Sequence, residues 1–166
     1  MSIPRLPLLL VEDDPGHAAL VQHCLEDYPV KVYHTSDGEA ALDYLFHQGL
    51  YAEPSENPRP RVILLDLNLP KLNGHDVLRV IKASEPLCAI PVVVFTTSMS
   101  EEDVAQAYAC HANSYIVKPL DLGAFEEALE SICMFWLMWN HTVASDLEAT
   151  RKKEGDYGVK KSSLNN

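Results

Sequence analysis

The chain has 166 residues, with 13 Lys and Arg against 24 Asp and Glu, which gives a formal net charge of −11. This length is typical of one domain, and the acidic balance argues against a nucleic-acid-binding surface over the whole domain, because phosphate backbones need a basic footprint. No apolar run approaches the ~20 residues of a membrane span, and the start lacks the pattern of a signal peptide. Four well-separated cysteines indicate free thiols in a reducing cytoplasm.

The charge is unevenly distributed along the chain. Residues 151–166 carry five basic and two acidic residues and have almost no apolar content. This composition is typical of a solvated, disordered tail. We therefore predict one folded domain over residues 1–140, with no second domain, and a C-terminal extension over 141–166 that is disordered from about 151.

The first third of the chain alternates strand and helix signals. Residues 8–11 form a short apolar run typical of a buried strand. Pro15 suits the first turn of the helix that follows, where its missing N–H is harmless. Residues 30–35 predict a second strand, and Ser36 or Asp37 is the expected cap of a second helix.

The middle of the chain contains the two most apolar strand signals. Residues 48–61 include three prolines and predict a loop. Residues 62–65 and 91–95 are apolar without alternation, as expected of parallel strands that are covered on both faces. A helix with one apolar side is expected after Gly74.

The last third continues the same alternation. Ser100 and the three acids after it suit a helix N-terminus. Residues 114–117 predict a fifth strand, and Asp121 caps a last helix that is expected to run from Leu122 to about Trp139 or beyond. Five strands alternating with five helices predict an α/β fold with a doubly wound parallel sheet.

Polar residues stand where the predicted strands end. Glu12 and Asp13 follow the first strand, Asp66 the third, Thr96 ends the fourth, and Lys118 follows the fifth. Open parallel sheets bind ligands at the carboxyl ends of their strands, at the point where the strand order reverses. With the order 2-1-3-4-5, the first and third strands are neighbours, and the three carboxylates would lie together.

Such a group of carboxylates has a chemical implication. Like charges a few ångströms apart disfavour ionisation unless a cation compensates them. Oxygen ligands suit Mg²⁺ better than zinc. With Lys118 and a hydroxyl alongside, the set fits phosphoryl transfer to a carboxylate, and Asp66 is the best acceptor because it stands alone at the centre of the sheet.

Four segments carry a family resemblance: LLLVEDDP, VILLDLNLPKLNG, VVVFTTS and SYIVKPL. In order and spacing they resemble the signature segments of response-regulator receiver domains of two-component signalling, over roughly residues 6–135. The resemblance implies a flavodoxin-like receiver fold and a histidine kinase as phosphoryl donor. It also implies a protein without an output domain that undergoes only self-phosphorylation and self-dephosphorylation, and is not otherwise an enzyme.

The resemblance also implies roles for the residues at the strand ends. Asp66 would be the phosphorylated aspartate. The acidic pair Glu12 and Asp13 would form the Mg²⁺ site together with Asp66. Asp13 and Asp66 would hold the ion, and the backbone carbonyl of Asn68 is the expected third protein ligand.

The same resemblance implies a conformational switch. Thr96 would hydrogen-bond the phosphoryl group, Lys118 would pair with it, and Tyr115 would move inward with the threonine. A cis Lys118–Pro119 bond is expected to aim the lysine inward.

A narrower likeness and two differences refine this picture. DLNLPKLNG, PVVVFTTS and ANSYIVKPLDL are similar to small response regulators that are partnered with bacterial and cyanobacterial phytochromes. Where the family usually has Gly at the end of a helix, this chain has His111. Because a left-handed non-Gly residue is strained, we expect a rearranged helix end there. Ser98 and Asn68 are expected to flank the approach of water to the phosphoryl group.

The last helix holds eight consecutive apolar residues, 132–139. At 3.6 residues per turn they cover every face, so aromatic side chains would be exposed. We predict a homodimer built partly on Phe135, Trp136 and Trp139. The alternative is that residues 140–150 fold back and cover them.

Two other functions remain open at this point. One is an aspartyl-phosphate phosphatase that acts on small molecules, although the segment Asp66-Leu67-Asn68 lacks the second acid of such enzymes. The other is a binding module that works without phosphorylation, against which the complete set of strand-end residues argues.

Overall fold

The computed structural model describes residues 4–142 and contains one sheet of five parallel strands. The strand order is β2-β1-β3-β4-β5, which confirms the predicted doubly wound topology. The strands are β1 Leu6–Val11, β2 Val30–Thr35, β3 Val62–Leu65, β4 Val92–Thr96 and β5 Ser114–Val117.

Five α-helices connect the strands and continue the chain beyond β5. Each begins at a side chain that accepts backbone N–H groups of the first turn, and the predicted caps Asp37, Ser100 and Asp121 are confirmed. Within residues 4–142, no helix has both the length and the apolar content to cross a membrane. The helices are α1 Pro15–Cys24, α2 Gly38–Phe46, α3 Gly74–Ala83, α4 Glu101–Ala109 and α5 Leu122–Cys133.

The helices cover both faces of the sheet. Side chains of α1 and α5 pack in one apolar cluster, and side chains of α2, α3 and α4 pack in another on the opposite face. Every residue of β3 and β4 is buried, as expected for central strands that are covered twice. The sheet is therefore a rigid platform for the residues that follow its strands.

The strand register decides which of those residues meet. Val11 pairs with Leu65 across β1 and β3, so the residues that follow them, Glu12 and Asp66, are neighbours. Thr96 pairs with Val117 across β4 and β5, which places Lys118 beside Thr96. The backbone N–H of Lys118 donates to the Thr96 carbonyl at 2.7 Å.

The predicted loop between α2 and β3 contains a short 3₁₀ helix, Gly49–Tyr51. One side chain within α2 and one directly after its C-terminal end hold this loop in place. The Tyr44 hydroxyl donates to the Pro58 carbonyl at 2.8 Å, and His47 Nε2 lies 2.9 Å from the Asn57 carbonyl oxygen.

The expectation of a rearranged end of α4 is wrong. His111 keeps the left-handed conformation, with φ of 66°. Its N–H donates to the Tyr108 carbonyl at 2.9 Å, and the Ala112 N–H donates to the Ala107 carbonyl at 3.0 Å. These two bonds form a Schellman motif, which satisfies the last carbonyls of α4 and offsets the strain at His111.

The end of the last helix also differs from the prediction. The helix reaches Trp139 as expected, but its final part, Met134–Trp139, has the wider turns of a π-helix. We call this segment the aromatic end. Residues 143–166, which include the predicted disordered tail and most of the segment predicted to cover the aromatic residues, lie outside the described residues.

Candidate functional site

Three carboxylates meet at the carboxyl edge of the sheet. Glu12, Asp13 and Asp66 each offer an oxygen, and these oxygens lie within 4.8 Å of one another. Glu12 and Asp66 are buried, whereas Asp13 is exposed. This acidic cluster contains three of the four predicted metal-site residues, and the strand register explains why they are close.

A buried lysine balances the charge of the acidic cluster. Lys118 Nζ donates to Asp66 Oδ2 at 2.9 Å and also to Glu12 Oε2. The Lys118–Pro119 bond is trans, so the expected cis bond is wrong; within residues 4–142 the cis bond is Glu85–Pro86. The inward direction of the lysine follows from its place directly after β5 and from its two ion pairs.

Glu12 is perturbed by its surroundings. Burial raises the pKa of this carboxyl above its usual 4.5, and the contacts with Lys118 oppose that rise. The backbone N–H of Asp14 donates to Glu12 Oε1 at 3.0 Å, and the Asp14 side chain caps the N-terminus of α1. The carboxyl is therefore held in a site where a second cation would favour its charged form.

The loop after β3 closes tightly around Asp66. The backbone N–H of Asn68 donates to Asp66 Oδ1 at 3.3 Å, while the Asn68 side chain is exposed. A Cβ at Gly74 would lie 2.3 Å from the Asp66 carbonyl oxygen, so only glycine fits there. This close approach fixes the position of the Asp66 backbone.

The predicted switch residues lie on the other side of the acidic cluster. Thr96 is fully buried at the end of β4, and its hydroxyl oxygen accepts from the Ser98 N–H at 3.4 Å. Tyr115 is half-buried on β5, and its hydroxyl donates to the Ser98 carbonyl at 3.0 Å. Both side chains are thus tied to one residue of the loop after β4.

The chemistry of these groups fits a divalent cation. Three carboxylate oxygens converge at distances that one ion can bridge, and one of their residues, Asp13, faces solvent. Oxygen donors with open positions for water are the environment that Mg²⁺ prefers. The carboxylate set outnumbers its single lysine, so a further positive charge would stabilise it.

The predicted interface residues lie on α5, apart from the acidic cluster. Phe135 is 57% exposed and Trp139 is 74% exposed. Trp136 is half-buried against the core, and its ring meets the Phe135 ring edge-on with centroids 4.8 Å apart. Two of the three predicted aromatic residues are therefore exposed in the described part of the chain.

Sequence reasoning missed one neighbour of the site. His17, in the first turn of α1, has its Nδ1 atom 3.1 Å from Lys118 Nζ. The two residues are 101 positions apart in the chain, and no motif connects them. Only the fold, in which α1 packs beside α5 and the His17 ring lies near the Phe125 ring, brings them together.

Comparison with known proteins gives a consistent result. A family model described as "response regulator receiver domain" matches residues 8–130. The chain is 46% identical over 138 residues to the probable methanogenesis regulatory protein FilR2 of Methanothrix harundinacea, and the match covers 81% of this chain and 86% of that protein. It is 42% identical over 138 residues to response regulator Rcp1 of Synechocystis, with 82% and 92% covered.

Solved structures show the same similarity. The phosphorylated cyanobacterial phytochrome response regulator RcpA superposes with a TM-score of 0.79 at 38% identity, covering 84% of this chain and 99% of that one. The Mn²⁺-bound form of Rcp1 gives a TM-score of 0.76 at 40% identity, covering 82% and 98%. With the sheet order and the acidic cluster, these matches show that the chain belongs to the response-regulator receiver domain family of two-component signalling proteins.

Proposed function

We propose that this protein is a phosphorylation-dependent switch in which Asp66 accepts a phosphoryl group from a histidine kinase. The observation that carries the proposal is the pairing of a buried Asp66 with Lys118 at 2.9 Å, beside two further carboxylates within 4.8 Å. A nucleophilic carboxylate, a fixed cation and a divalent-metal donor set are the components that phosphoryl transfer needs.

The phosphoryl transfer forms one bond to phosphorus and breaks another. An oxygen of the Asp66 carboxylate attacks the phosphorus of the kinase's phosphohistidine, and an O–P bond forms while the N–P bond breaks. The electron pair of the broken bond leaves on the imidazole nitrogen, and Asp66 becomes an acyl phosphate. Lys118 then pairs with a phosphoryl oxygen.

Glu12, Asp13, Asp66 and the carbonyl of Asn68 are the residues we assign to a Mg²⁺ site. When bound, Mg²⁺ supplies positive charge that offsets the carboxylates and the incoming phosphoryl group. The relative crystallised with Mn²⁺ and the converging carboxylates support this assignment.

Phosphorylation would act on the rest of the molecule through Thr96 and Tyr115. A phosphoryl group adds charge and strong acceptors next to the Thr96 hydroxyl. Thr96 moves toward these acceptors, and Tyr115 follows into the space that it leaves. The resulting shift in the surface of α4, β5 and α5 is the signal.

We further propose that residues 1–140 form the receiver and that 141–166 are a C-terminal extension of it. The chain would then work in the cytoplasm as a response regulator. The similarity to a protein named as a phytochrome response regulator supports a phytochrome-type kinase as donor. FilR2 is named as a probable methanogenesis regulatory protein, so its kinase would differ from a phytochrome. The rates of phosphotransfer to this protein from a phytochrome kinase and from a kinase of the FilR2 type should therefore be compared.

The exposed rings of the aromatic end support a homodimer. Burying Phe135 and Trp139 against a second copy would remove apolar surface from water. Light scattering should give the mass of two chains for the wild type and of one for Trp139→Glu. Leu50→Glu changes an apolar residue elsewhere that is even more exposed than Trp139, and it should leave the dimer intact. Equal masses for the wild type and Trp139→Glu would contradict the proposed interface.

The phosphoacceptor role is tested by incubation with acetyl phosphate and Mg²⁺, followed by intact-mass measurement. The wild type should gain one phosphoryl group, and Asp66→Asn should gain none. Omitting Mg²⁺ and adding EDTA should abolish the gain. An unmodified wild type would overturn the proposal, and continuous release of phosphate from many small substrates would favour the phosphatase alternative.

A further inference from the structure

A polar network connects α3 and α4 to the loop after β4. His75, buried in the first turn of α3, has Nε2 3.0 Å from Asp103 Oδ1, a distance at which the ring nitrogen donates to the carboxylate. The Ser98 hydroxyl donates to the other oxygen, Asp103 Oδ2, at 2.5 Å. One carboxylate therefore links two helices and the loop.

The network ends at the two switch residues. The backbone N–H of Ser98 donates to the Thr96 hydroxyl oxygen at 3.4 Å, and the Ser98 carbonyl accepts from the Tyr115 hydroxyl at 3.0 Å. Ser98 thus contacts both switch residues and Asp103, and its hydroxyl oxygen also accepts from the Ser100 N–H at 3.3 Å. Its side chain holds it to Asp103, and its backbone holds Thr96 and Tyr115.

The Asp103 carboxylate is a strong anchor for this loop. The hydrogen bonds from Ser98 and His75 hold the pKa of Asp103 below its usual value, because they favour the charged form. Hydrogen bonds to a charged acceptor are stronger than neutral ones. The position in the first turn of α4 also favours a negative charge.

We propose that His75 and Asp103 are positioning residues that hold Ser98, and through it Thr96 and Tyr115, in the unphosphorylated arrangement. This inference rests on the proposed function, because it concerns how readily Thr96 moves toward a phosphoryl group on Asp66. When the Thr96 hydroxyl moves, its contact with Ser98 must stretch unless Ser98 moves too.

A fixed Ser98 therefore opposes phosphorylation. Releasing Ser98 lowers the free-energy cost of the phosphorylated arrangement and shifts the equilibrium toward it. A residue with a merely structural role gives the opposite sign, since its loss disorders the site and slows phosphorylation. The direction of the change separates the two roles.

The experiment compares Asp103→Ala, Ser98→Ala and the double variant with the wild type. Glu102→Ala is the matched control, because Glu102 is an exposed acid in the same first turn of α4. Asp103→Asn is the conservative variant, because its amide oxygen still accepts from the Ser98 hydroxyl. Two measurements are made on each protein: amide hydrogen exchange at residues 97–100 without phosphate, and the rate of phosphorylation by acetyl phosphate with Mg²⁺.

We expect Asp103→Ala and Ser98→Ala each to raise both the exchange rate and the phosphorylation rate by up to about tenfold, the equivalent of one hydrogen bond. The effects should be less than additive in the double variant, because both single variants remove the hydrogen bond between Ser98 and Asp103. Ser98→Ala alone also removes the acceptor of the Ser100 N–H, and Asp103→Ala alone also removes the contact with His75. Asp103→Asn should lie between Asp103→Ala and the wild type, and Glu102→Ala should match the wild type.

Two failures can be told apart. A wild type that gains no phosphoryl group overturns the proposed function. A wild type that is phosphorylated while Asp103→Ala behaves like Glu102→Ala, or is phosphorylated more slowly, overturns the positioning role alone.

Discussion

The acidic cluster and the aromatic end depart from ordinary folding in opposite ways. The first buries charged groups, and the second exposes large apolar rings, the two observations that are most informative about function. The buried carboxylates find their partner, Lys118, within the same chain. The exposed rings of Phe135 and Trp139 face water in the described structure. The charges of the first region are balanced within the chain, whereas the second region leaves apolar surface exposed, which supports the proposed interface.

The largest expected effect comes from breaking the internal balance of the acidic cluster. Lys118→Ala leaves Glu12 and Asp66 buried without a cation, which should cost about 3–5 kcal/mol of unfolding free energy. Urea unfolding in EDTA measures the loss. Added Mg²⁺ should recover part of it, because a cation that binds only the folded state stabilises that state.

Lys71→Ala is the control for this variant. Lys71 Nζ pairs with Asp37 Oδ2 at 3.1 Å, but the lysine side chain is largely exposed. Its loss should cost less than about 1 kcal/mol, since exposed ion pairs contribute little. Equal losses for the two lysine variants would show that the buried ion pairs of Lys118 contribute no more to stability than the exposed ion pair of Lys71.

The two tryptophans of the aromatic end differ in burial, so their variants should differ in stability. Trp136→Ala should cost about 2 kcal/mol, because this half-buried ring packs on the core. Trp139→Ala should cost less than about 0.5 kcal/mol, because its ring is exposed. Urea unfolding at concentrations where the chain is monomeric measures both, and a reversed order would contradict the assignment of Trp139 to the interface.

The pH dependence of stability tests the burial of Glu12. Since burial raises its pKa above 4.5, the folded state holds this proton more tightly than the unfolded state. Its stabilising contribution is complete below the unfolded pKa and is lost as pH rises through the folded pKa, by at most about 1.4 kcal/mol per pH unit.

Glu12→Gln removes this titration and is the reference. In metal-free buffer, the unfolding free energy of the wild type relative to Glu12→Gln should fall as pH rises from about 4.5, the ordinary Glu value. A difference that instead grows with pH would mean that Lys118 outweighs burial.

The smallest expected effect lies at the end of α4. His111→Gly should raise the unfolding free energy by about 1 kcal/mol, because glycine adopts the left-handed conformation without strain. His47 is also left-handed, with φ of 53°, but its ring contacts the Asn57 carbonyl. His47→Gly should therefore give no net gain, and thermal unfolding measures both.

The sequence was most informative about the sheet and its carboxyl edge. Short apolar runs predict buried strands, and the residue that follows each run is then placed by the register. Glu12 and Asp66 become neighbours because Val11 pairs with Leu65, a relation that follows once the strand order is assumed. The site residues thus required only local patterns and a topology.

The parts that the sequence did not predict depend on packing between distant side chains. His17 meets Lys118, and His75 meets Asp103, across 101 and 28 positions without any local pattern. The left-handed His111 persists because two backbone bonds of the fold hold it there.

The loop between α2 and β3 has a practical use in protein engineering. It joins the amino edge of the sheet, where the Arg61 N–H donates to the Pro7 carbonyl at 2.9 Å, and Leu50 in this loop is 94% exposed. The four residues of β3 separate the end of this loop from Asp66 by about 13 Å. A peptide tag or fluorescent label inserted beside Leu50 would follow the protein in a living cell while leaving its phosphoryl chemistry untouched.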